Sequence, residues 1–291
     1  GNMSYLQKLQ QTETEILEEI DRLCEKHSIV YYLAGGTLLG AVRHRGFIPW
    51  DDDIDVAMPR NDYERFRDIC LSELDERFYL HCPQTDKNYW LPFAKVRKKN
   101  TLFEEKNLVD LNVPKEIFVD IFPLDDTKKE NSLIKRFRAL KIKLLSSEMI
   151  SRIGIKTREK VPFWVKIRKF CLRRYSIAEL SKKQTALMKK ENGKGYDFYV
   201  NYASNYGHIK QTMPKKIYGV PKKLFFENKE YNVPNDYEYF LTRLYGEEYM
   251  KIPPKEKQIT HSPQRICFDT AAVNADGEKT IVTGDDTDET L

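Results

Sequence analysis

The segment from Asp51 to Asp55, DDDID, places four carboxylates within five residues. Asp53 and Asp55 are two residues apart, so on a β-strand their side chains leave the same face. Two negative charges held this close repel each other unless a cation lies between them, and Mg²⁺ prefers oxygen ligands of this kind. A solvated acidic loop is the alternative. The apolar Ile54 and Val56 favour a strand with one buried face, which would hold both carboxylates on rigid backbone.

A pair of glycines precedes this acidic segment. Gly35 and Gly36 follow the β-branched and aromatic stretch SIVYYLA and open the helical pattern TLLGAVRH. Two glycines at such a turn allow backbone amides to approach a phosphate, and the helix N-terminus adds a favourable dipole. A plain strand-to-helix turn is the alternative. The glycine pair and the paired carboxylates together predict a site for a metal ion and a polyphosphate.

The elements that must position these residues alternate between helix and strand. Apolar spacing predicts a helix over 4–27, a short helix over 37–44 and a third helix capped by Asn61. It predicts strands over 28–34 and 53–58, each between two of these helices, and two more strands over 89–105 and 116–126. This order predicts an α/β (α+β) fold, a mixed sheet flanked by helices, with charged residues on neighbouring strands.

Charge divides the rest of the chain. Residues 128–175 contain sixteen Lys or Arg and three Glu, a net charge of +13, whereas residues 269–291 contain seven acids and one Lys, a net charge of −6. We expect four segments: a catalytic core, a basic and mainly helical insert, a part that completes the cleft, and an acidic tail, over 1–127, 128–195, 196–262 and 263–291.

Composition excludes several classes of protein. No stretch approaches the ~20 apolar residues that cross a bilayer, and the sequence opens with no signal-peptide pattern. The five cysteines are scattered without a CxxC pair, and the five histidines are scattered too, which argues against a zinc site or a disulfide framework. We therefore expect a protein of a reducing compartment, the cytoplasm, with no nucleic-acid partner.

The string GGTLLGAVRHRGFIPWDDDIDV resembles the LicD family of phosphocholine transferases, which is related to fukutin and the fukutin-related protein and has the nucleotidyltransferase fold. KVRKKNTLFEE (95–105), VDIFPLDD (119–126) and YGEEYMKIPP followed by His261 also match. The resemblance covers roughly residues 15–262; residues 128–220 match less distinctly and residues after Pro263 do not match.

The resemblance implies roles for the carboxylates. Asp53 and Asp55 would bind Mg²⁺ or Mn²⁺, and Asp120 would be the third ligand and a catalytic residue that takes a proton from the acceptor. A carboxylate inside apolar FVDIF is costly to bury without a partner. A helix or turn cap is the alternative for Asp120. Asp51 and Asp52 would support the site.

Two further sets of residues are candidates for binding the donor. Phosphate oxygens would be held by backbone amides and cations, namely by Gly35, Gly36, Thr37, Arg43, His44, Lys95 and Arg97. A choline headgroup needs aromatic faces because a quaternary ammonium donates no hydrogen bond, and the candidates are Trp50, Tyr89 and Trp90. Solvation of the cations and core packing of the aromatic rings are the alternatives.

The resemblance implies transfer of phosphocholine, or a similar alcohol phosphate, from CDP-choline or another CDP-alcohol to a sugar hydroxyl, with release of CMP. The acceptor would be a cell-surface or lipid-linked glycan, such as teichoic acid, lipopolysaccharide or capsule. A nucleotidyltransferase that releases pyrophosphate from an NTP and a non-catalytic nucleotide-binding scaffold are the competing hypotheses.

The basic insert has a pattern of its own. Leu133, Phe137, Leu140 and Leu144 fall on one helical stripe among lysines and arginines. This stripe would either lie on an anionic membrane, at its inner face, or pack on the core with a solvated basic face.

Overall fold

The computed structural model describes residues 3–157, 160, 162–271 and 281–283. Within these residues the helices are α1 Tyr5–His27, α2 Gly35–His44, α3 Arg60–Glu73, α4 Leu133–Ile153, α5 Phe163–Leu172, α6 Ile177–Met188, α7 Lys215–Tyr218 and α8 Tyr237–Tyr245, with 3-10 turns at Lys106–Leu108 and Lys255–Lys257. The strands are β1 Tyr32–Leu33, β2 Asp55–Pro59, β3 Phe78–His81, β4 Ala94–Lys98, β5 Leu102–Glu104, β6 Phe118–Thr127, β7 Phe198–Val200, β8 Thr212–Pro214, β9 Lys222–Phe226, β10 Lys229–Val233, β11 Arg265–Cys267 and β12 Ile281–Thr283.

The central sheet has the strand order β1-β2-β6-β4-β3. β2 and β6 run parallel, and the other pairs in this sheet are antiparallel. The second half of β6 pairs with β7, which pairs with β8. The predicted α/β (α+β) class with a mixed sheet is thus confirmed.

The long first helix agrees with its predicted bounds. Ser4 caps α1 through a capping box with Gln7, which satisfies free amides of the first turn. The apolar stripe of α1, including Ile16, Leu17 and Ile20, is fully buried in the main core. Burial of this stripe fixes α1 against the sheet.

Two local predictions were wrong. The strand predicted over 28–34 forms only at Tyr32 and Leu33, because Ser28 adopts a left-handed conformation that ends α1 and the Val30 amide donates to the Asp62 carboxylate. The predicted cap Asn61 is exposed inside α3, which begins at Arg60 after Pro59 and has no side-chain cap.

Arg60 instead points inward and joins α3 to β6. Its guanidinium donates two hydrogen bonds to the Asp125 carboxylate, at 2.8 and 2.7 Å, and both side chains are buried. The Asn192 amide also donates to Asp125, at 2.8 Å. This ion pair anchors the second half of β6, the strand whose first half carries Asp120.

The segment between β6 and β7 contains α4, α5 and α6, as the helical pattern predicts. No helix among the described residues has the length and the hydropathy that crossing a bilayer requires. β11 pairs with β5 and with β12, so part of the predicted tail forms a small sheet. Residues 272–280 and 284–291 of that tail lie outside the described residues.

We expect Asp125→Asn to lower the free energy of unfolding by about 3–5 kcal/mol, because it leaves a buried guanidinium without its countercharge. Urea denaturation monitored by circular dichroism measures this change. Glu248→Gln, which breaks the exposed Lys251–Glu248 pair, is the control and should change stability little. Equal effects of the two substitutions would contradict the anchoring role of the buried pair.

Candidate active site

Three strands place charged residues in one row across the sheet. In the β2–β6 register Asp55 is opposite Asp120, and in the β6–β4 register Asp120 is opposite Lys95. The Lys95 ammonium lies 2.7 Å from an oxygen of Asp120 and 3.4 Å from the centre of the Phe118 ring. Asp120 is therefore buried with a countercharge, which lowers the cost of desolvating it.

The glycine turn lies directly against the carboxylates. Gly35 has φ +55°, and a β-carbon at this position would lie 3.4 Å from an oxygen of Asp55. A β-carbon on Gly36 would lie 3.0 Å from an oxygen of Asp51. The Thr37 hydroxyl accepts a hydrogen bond of 2.9 Å from the Asp55 amide, so it fixes the start of β2 to the first turn of α2. The free amides of that turn therefore lie beside the acidic cluster.

The four aspartates of DDDID are crowded, and burial raises the pKa of each. Burial and the neighbouring Asp52 raise the pKa of Asp51 to about 6, and burial and Asp53 raise that of Asp52 to about 7. The pKa values of Asp53 and Asp55 lie well above the ordinary range, first because of burial and then because of the other acids. Asp53 precedes β2, so the predicted strand over 53–58 begins two residues later than expected.

A sixth acid, Glu13 on α1, was missed by the sequence reasoning. Its side chain is 2% exposed, and Oε2 has no hydrogen-bond partner among the described residues. Burial raises its pKa well above the ordinary range, and so do Asp53, Asp52 and Asp51. A signal was present: Glu13 lies four residues after Leu9 and three before Ile16, on the apolar stripe of α1.

These side chains fit a hard divalent cation. Their donors are all carboxylate oxygens, and one oxygen from each of Asp51, Asp52 and Asp53 lies within 4.8 Å of the other two. Asp53, Asp55 and Asp120, the set implied by the family resemblance, line one cavity. The raised pKa values and the unpartnered Glu13 oxygen are what a site short of positive charge would show.

The cavity has a volume of about 520 Å³. It brings together seven predicted residues: Gly35, Asp53, Asp55, Trp90, Lys95, Arg97 and Asp120. Aromatic rings that the sequence reasoning did not single out complete the wall: Phe93, Phe118, Phe122 and Tyr206. The cavity lining therefore combines carboxylates, aromatic rings and three cations, namely Lys95, Arg97 and Lys156.

Comparison with known proteins identifies relatives of this chain. The family model for the LicD/FKTN/FKRP nucleotidyltransferase domain matches residues 28–143. Lipopolysaccharide cholinephosphotransferase LicD of Haemophilus influenzae is 34% identical over 259 residues, which cover 86% of this chain and 92% of that protein. The chain belongs to the LicD family.

Two shorter matches are to uncharacterized proteins of Rickettsia. The Rickettsia prowazekii protein is 29% identical over 123 residues, 39% of this chain and 45% of that protein. The Rickettsia typhi protein is 42% identical over 55 residues, 19% of this chain and 18% of that protein. The matched LicD domain contains the diglycine turn, the DDDID segment, Lys95 and Asp120.

In this LicD-family chain, four predicted phosphate-binding residues are outside the cavity wall: Gly36 and Thr37 in the glycine turn, and the cations Arg43 and His44. Arg43 donates to the backbone oxygens of Tyr249 and Lys251, at 2.8 and 3.0 Å, and to His44 Nε2, at 2.9 Å. Burial lowers the pKa of both Arg43 and His44, and the Arg43 charge lowers that of His44 further. In this structure the pair ties the end of α2 to the segment after α8.

Arg97 lies in the wall but is held by protein groups. Its guanidinium donates to His81 Nδ1 at 2.9 Å and to the Glu116 backbone oxygen at 2.6 Å. Burial and Arg97 lower the pKa of His81 to about 4, so the ring is neutral and its Nε2–H donates to Asp86, at 2.8 Å. This chain of hydrogen bonds holds the Arg97 guanidinium in place in the wall.

The three predicted choline-binding rings have different surroundings. Trp90 lines the cavity, and Tyr89 packs behind it with its hydroxyl donating to the Phe93 backbone oxygen at 2.6 Å. Trp50 lies outside the wall, edge-on to His44, and its backbone oxygen accepts from Thr260.

A pair of tyrosines lies across from the glycine turn. Tyr206 contacts Tyr245 edge to face, and the Tyr245 hydroxyl would lie 3.9 Å from a β-carbon on Gly35. Burial and the neighbouring acids raise the pKa of both phenols, so both remain neutral donors beside the carboxylates.

We expect the metal-free protein to lose stability as the pH rises from about 4 to about 7. In that range the folded protein retains protons on Asp51 and Asp52 that the unfolded chain releases above its ordinary pKa of 3.8. Asp52→Asn should reduce the fall in unfolding free energy by about 1–3 kcal/mol. Urea titrations with chelator at several pH values measure it.

The matched control is Asp68→Asn, at an exposed aspartate of α3. It should leave the pH dependence unchanged. Parallel pH profiles for the parent and for Asp52→Asn would show that the aspartates of the site do not carry the raised pKa values.

Proposed function

We propose that the protein transfers phosphocholine from CDP-choline to a sugar hydroxyl of a glycan and uses Mg²⁺. The observation that carries this proposal is the 34% identity across 92% of the Haemophilus lipopolysaccharide cholinephosphotransferase. One cavity of this chain is lined by Asp53, Asp55, Asp120 and Lys95. This arrangement supports the proposal, because phosphoryl transfer needs carboxylates, cations and a diphosphate site together.

Asp53, Asp55 and Asp120 would hold the metal, with Asp51, Asp52 and Glu13 contributing negative charge around it. When bound, a divalent cation neutralises the diphosphate charge and stabilises the leaving CMP. The free amides at the start of α2 bind diphosphate oxygens beside the carboxylates.

Lys95 has two roles in this proposal. In the structure its ammonium neutralises Asp120 and lies on the face of the Phe118 ring. When the donor enters, a phosphate oxygen competes with Asp120 for this ammonium. Transfer of the contact from Asp120 to phosphate leaves the carboxylate free to accept the proton of the acceptor hydroxyl.

The reaction forms one bond and breaks one. The acceptor oxygen attacks the phosphorus that carries choline, and the bond from that phosphorus to the CMP oxygen breaks. Asp120 accepts the hydroxyl proton, and CMP leaves as the anion. Positioning of the two substrates within one cavity supplies much of the rate enhancement in such reactions.

The aromatic side of the cavity suits the choline headgroup. Trp90, Phe93 and Phe122 line the wall, with Phe93 and Phe122 rings 4.4 Å apart between centres. A quaternary ammonium is held by ring faces through cation–π attraction and by no hydrogen bond. Because Phe93 and Phe122 lie in the wall and Trp50 does not, these two rings take the place of Trp50 in the proposed choline site.

Analysis of the reaction products tests the proposed transfer. The protein, incubated with CDP-choline and an oligosaccharide acceptor panel, should release CMP and yield a product heavier by one phosphocholine, both measured by mass spectrometry. Asp120→Asn should lower turnover by roughly a thousandfold, because it removes the proton acceptor and a charged ligand. Asp126→Asn, six residues along the same strand and paired with Lys215, is the control and should retain activity.

The competing hypotheses give other products. Pyrophosphate released from an NTP, with no CMP from CDP-choline, would favour a nucleotidyltransferase. Nucleotide binding without turnover by either the parent or Asp120→Asn would favour the scaffold.

The metal site can be tested without a measurement of activity. Asp53→Asn should raise the melting temperature in chelator, because it relieves repulsion among the acids, and should abolish the rise in melting temperature that Mg²⁺ causes in the parent. Differential scanning fluorimetry with and without Mg²⁺ measures both. Asp126→Asn should keep the response of the parent. A Mg²⁺ response retained by Asp53→Asn would exclude Asp53 as a ligand.

A further inference from the structure

Helix α4 is apolar on two opposite faces. Its inner face, which includes Ala139, Ile142 and Leu145, is buried against the rest of the protein. Its outer face carries four large apolar side chains that remain exposed, Leu133, Ile134, Phe137 and Leu140. The core therefore accounts for one apolar face of α4 and leaves the other without a partner among the described residues.

Helix α5 repeats this outer pattern. Its exposed apolar residues, Phe163, Trp164, Ile167 and Phe170, have the same spacing of one, three and three residues as the four on α4. None of the ten residues of α5 is buried. A ten-residue helix is marginal in water by itself, so a helix that buries so little needs another surface for its apolar side chains.

The two helices enclose an apolar groove of about 280 Å³. Phe137, Leu140 and Leu144 form one wall, and Trp164 and Val165 form the other. We call the eight exposed residues on α4 and α5, together with this groove, the α4–α5 face. Their exposures run from 44 to 76%. Phe137, Leu140 and Trp164 of this set line the groove together, and exposed apolar side chains gathered in one place mark an interaction site.

Positive charge surrounds the α4–α5 face. Lys141, Lys143, Lys160 and Arg168 contribute to the groove lining. The buried acids nearest in sequence are already paired, Glu148 with Arg152 and Glu191 with Arg138. The four basic groups of the groove therefore have no carboxylate partner among the described residues.

We propose that the α4–α5 face docks on an anionic lipid bilayer. Aromatic and aliphatic side chains would enter the boundary between headgroups and acyl chains, and the lysines and arginines would contact the headgroups. A second copy of the chain would bring two basic faces together, which costs electrostatic energy. A nucleic acid would pair with the charge but would leave Leu133, Ile134 and Ile167 in water. A bilayer satisfies both the charge and the apolar surface.

One end of the α4–α5 face lies close to part of the wall of the candidate active-site cavity. Ile155, Lys156 and Thr157 line that cavity, and Lys160 lines the groove. Three residues of chain span at most about 11 Å, so Thr157 in the cavity wall and Lys160 in the groove lie close together. A docked protein would hold its cavity beside the membrane surface. This inference concerns the docking surface and does not depend on which group the cavity transfers.

The test is flotation of the full chain with vesicles. Vesicles of phosphatidylcholine containing phosphatidylglycerol should carry the protein at low salt, and vesicles of phosphatidylcholine alone should carry much less. Salt at about 0.5 M should weaken the binding, because it screens the headgroup charge. Failure to float with the anionic vesicles at low salt would overturn the proposal.

Variants separate the two contributions. Phe137→Ser with Trp164→Ser should lower the partition coefficient roughly tenfold or more, and Lys141→Gln with Lys143→Gln should lower it roughly fivefold per charge. Val220→Ser and Lys222→Gln with Lys223→Gln are the matched controls, since these residues are exposed elsewhere on the protein. Equal losses in target and control variants would overturn the assignment of this face.

Tryptophan fluorescence gives a second measurement. Trp164 is half-exposed, whereas Trp90 is buried, so anionic vesicles should shift the emission to shorter wavelength in the parent and should leave Trp164→Phe unchanged. Analytical ultracentrifugation tests whether a second copy of the chain binds this face. If the parent forms dimers and does not bind vesicles, and if the Phe137→Ser, Trp164→Ser variant is monomeric, the face would be assigned to a second copy instead.

Discussion

Repulsion among carboxylates is the constraint on which the site depends. Four aspartates lie in a five-residue segment, Asp120 is opposite Asp55 on the next strand, and Glu13 approaches from α1. Burial prevents water from screening these charges, which is why the pKa values of Asp53 and Asp55 are so high. A surface loop with the same composition would relax by separating its side chains. Here the parallel pairing of β2 with β6 fixes the backbone and prevents that separation.

The surrounding structure compensates for this charge only in part. Lys95 neutralises one oxygen of Asp120, and the glycine turn supplies amide dipoles at the other side of the cluster. Gly35 has φ +55°, a conformation that favours glycine, and a β-carbon on Gly36 would lie only 3.0 Å from an oxygen of Asp51. Lys95 is thus a buried cation within the site, but the surrounding carboxylates carry more negative charge than Lys95 neutralises. Such stored repulsion is a common cost of a functional site.

Local patterns in the sequence predict much of this arrangement. The period of apolar residues predicts α1, and the apolar flanks of Asp120 indicate a strand beside the DDDID segment. The resemblance adds the roles of the carboxylates, which stay predictions. The register that aligns Asp55, Asp120 and Lys95 could not be predicted, because it joins strands distant in the chain through backbone hydrogen bonds.

The errors share a physical origin. Asn61 has the chemistry of a helix cap, but Arg60 ends up inside because Asp125, on a remote strand, offers it a buried partner. Phe93, Phe118 and Phe122 resemble ordinary core residues in the sequence, and only the packed sheet places them in the cavity wall. Each of these outcomes is decided by a contact between distant segments, whereas a pattern in sequence reports mainly on neighbours.

The segment that carries α4, α5 and α6 leaves and returns at one point of the sheet. Thr127 ends β6, and its partner across the ladder is Phe198, the first residue of β7. An excursion whose two ends are hydrogen-bonded neighbours can be lengthened or exchanged at small entropic cost, while the strands that carry Asp55, Asp120 and Lys95 keep their register. Ile150 and Ile155 from this excursion form part of the cavity wall. Exchange of this one segment would therefore reshape part of the cavity wall and leave the strands that carry the carboxylates unchanged.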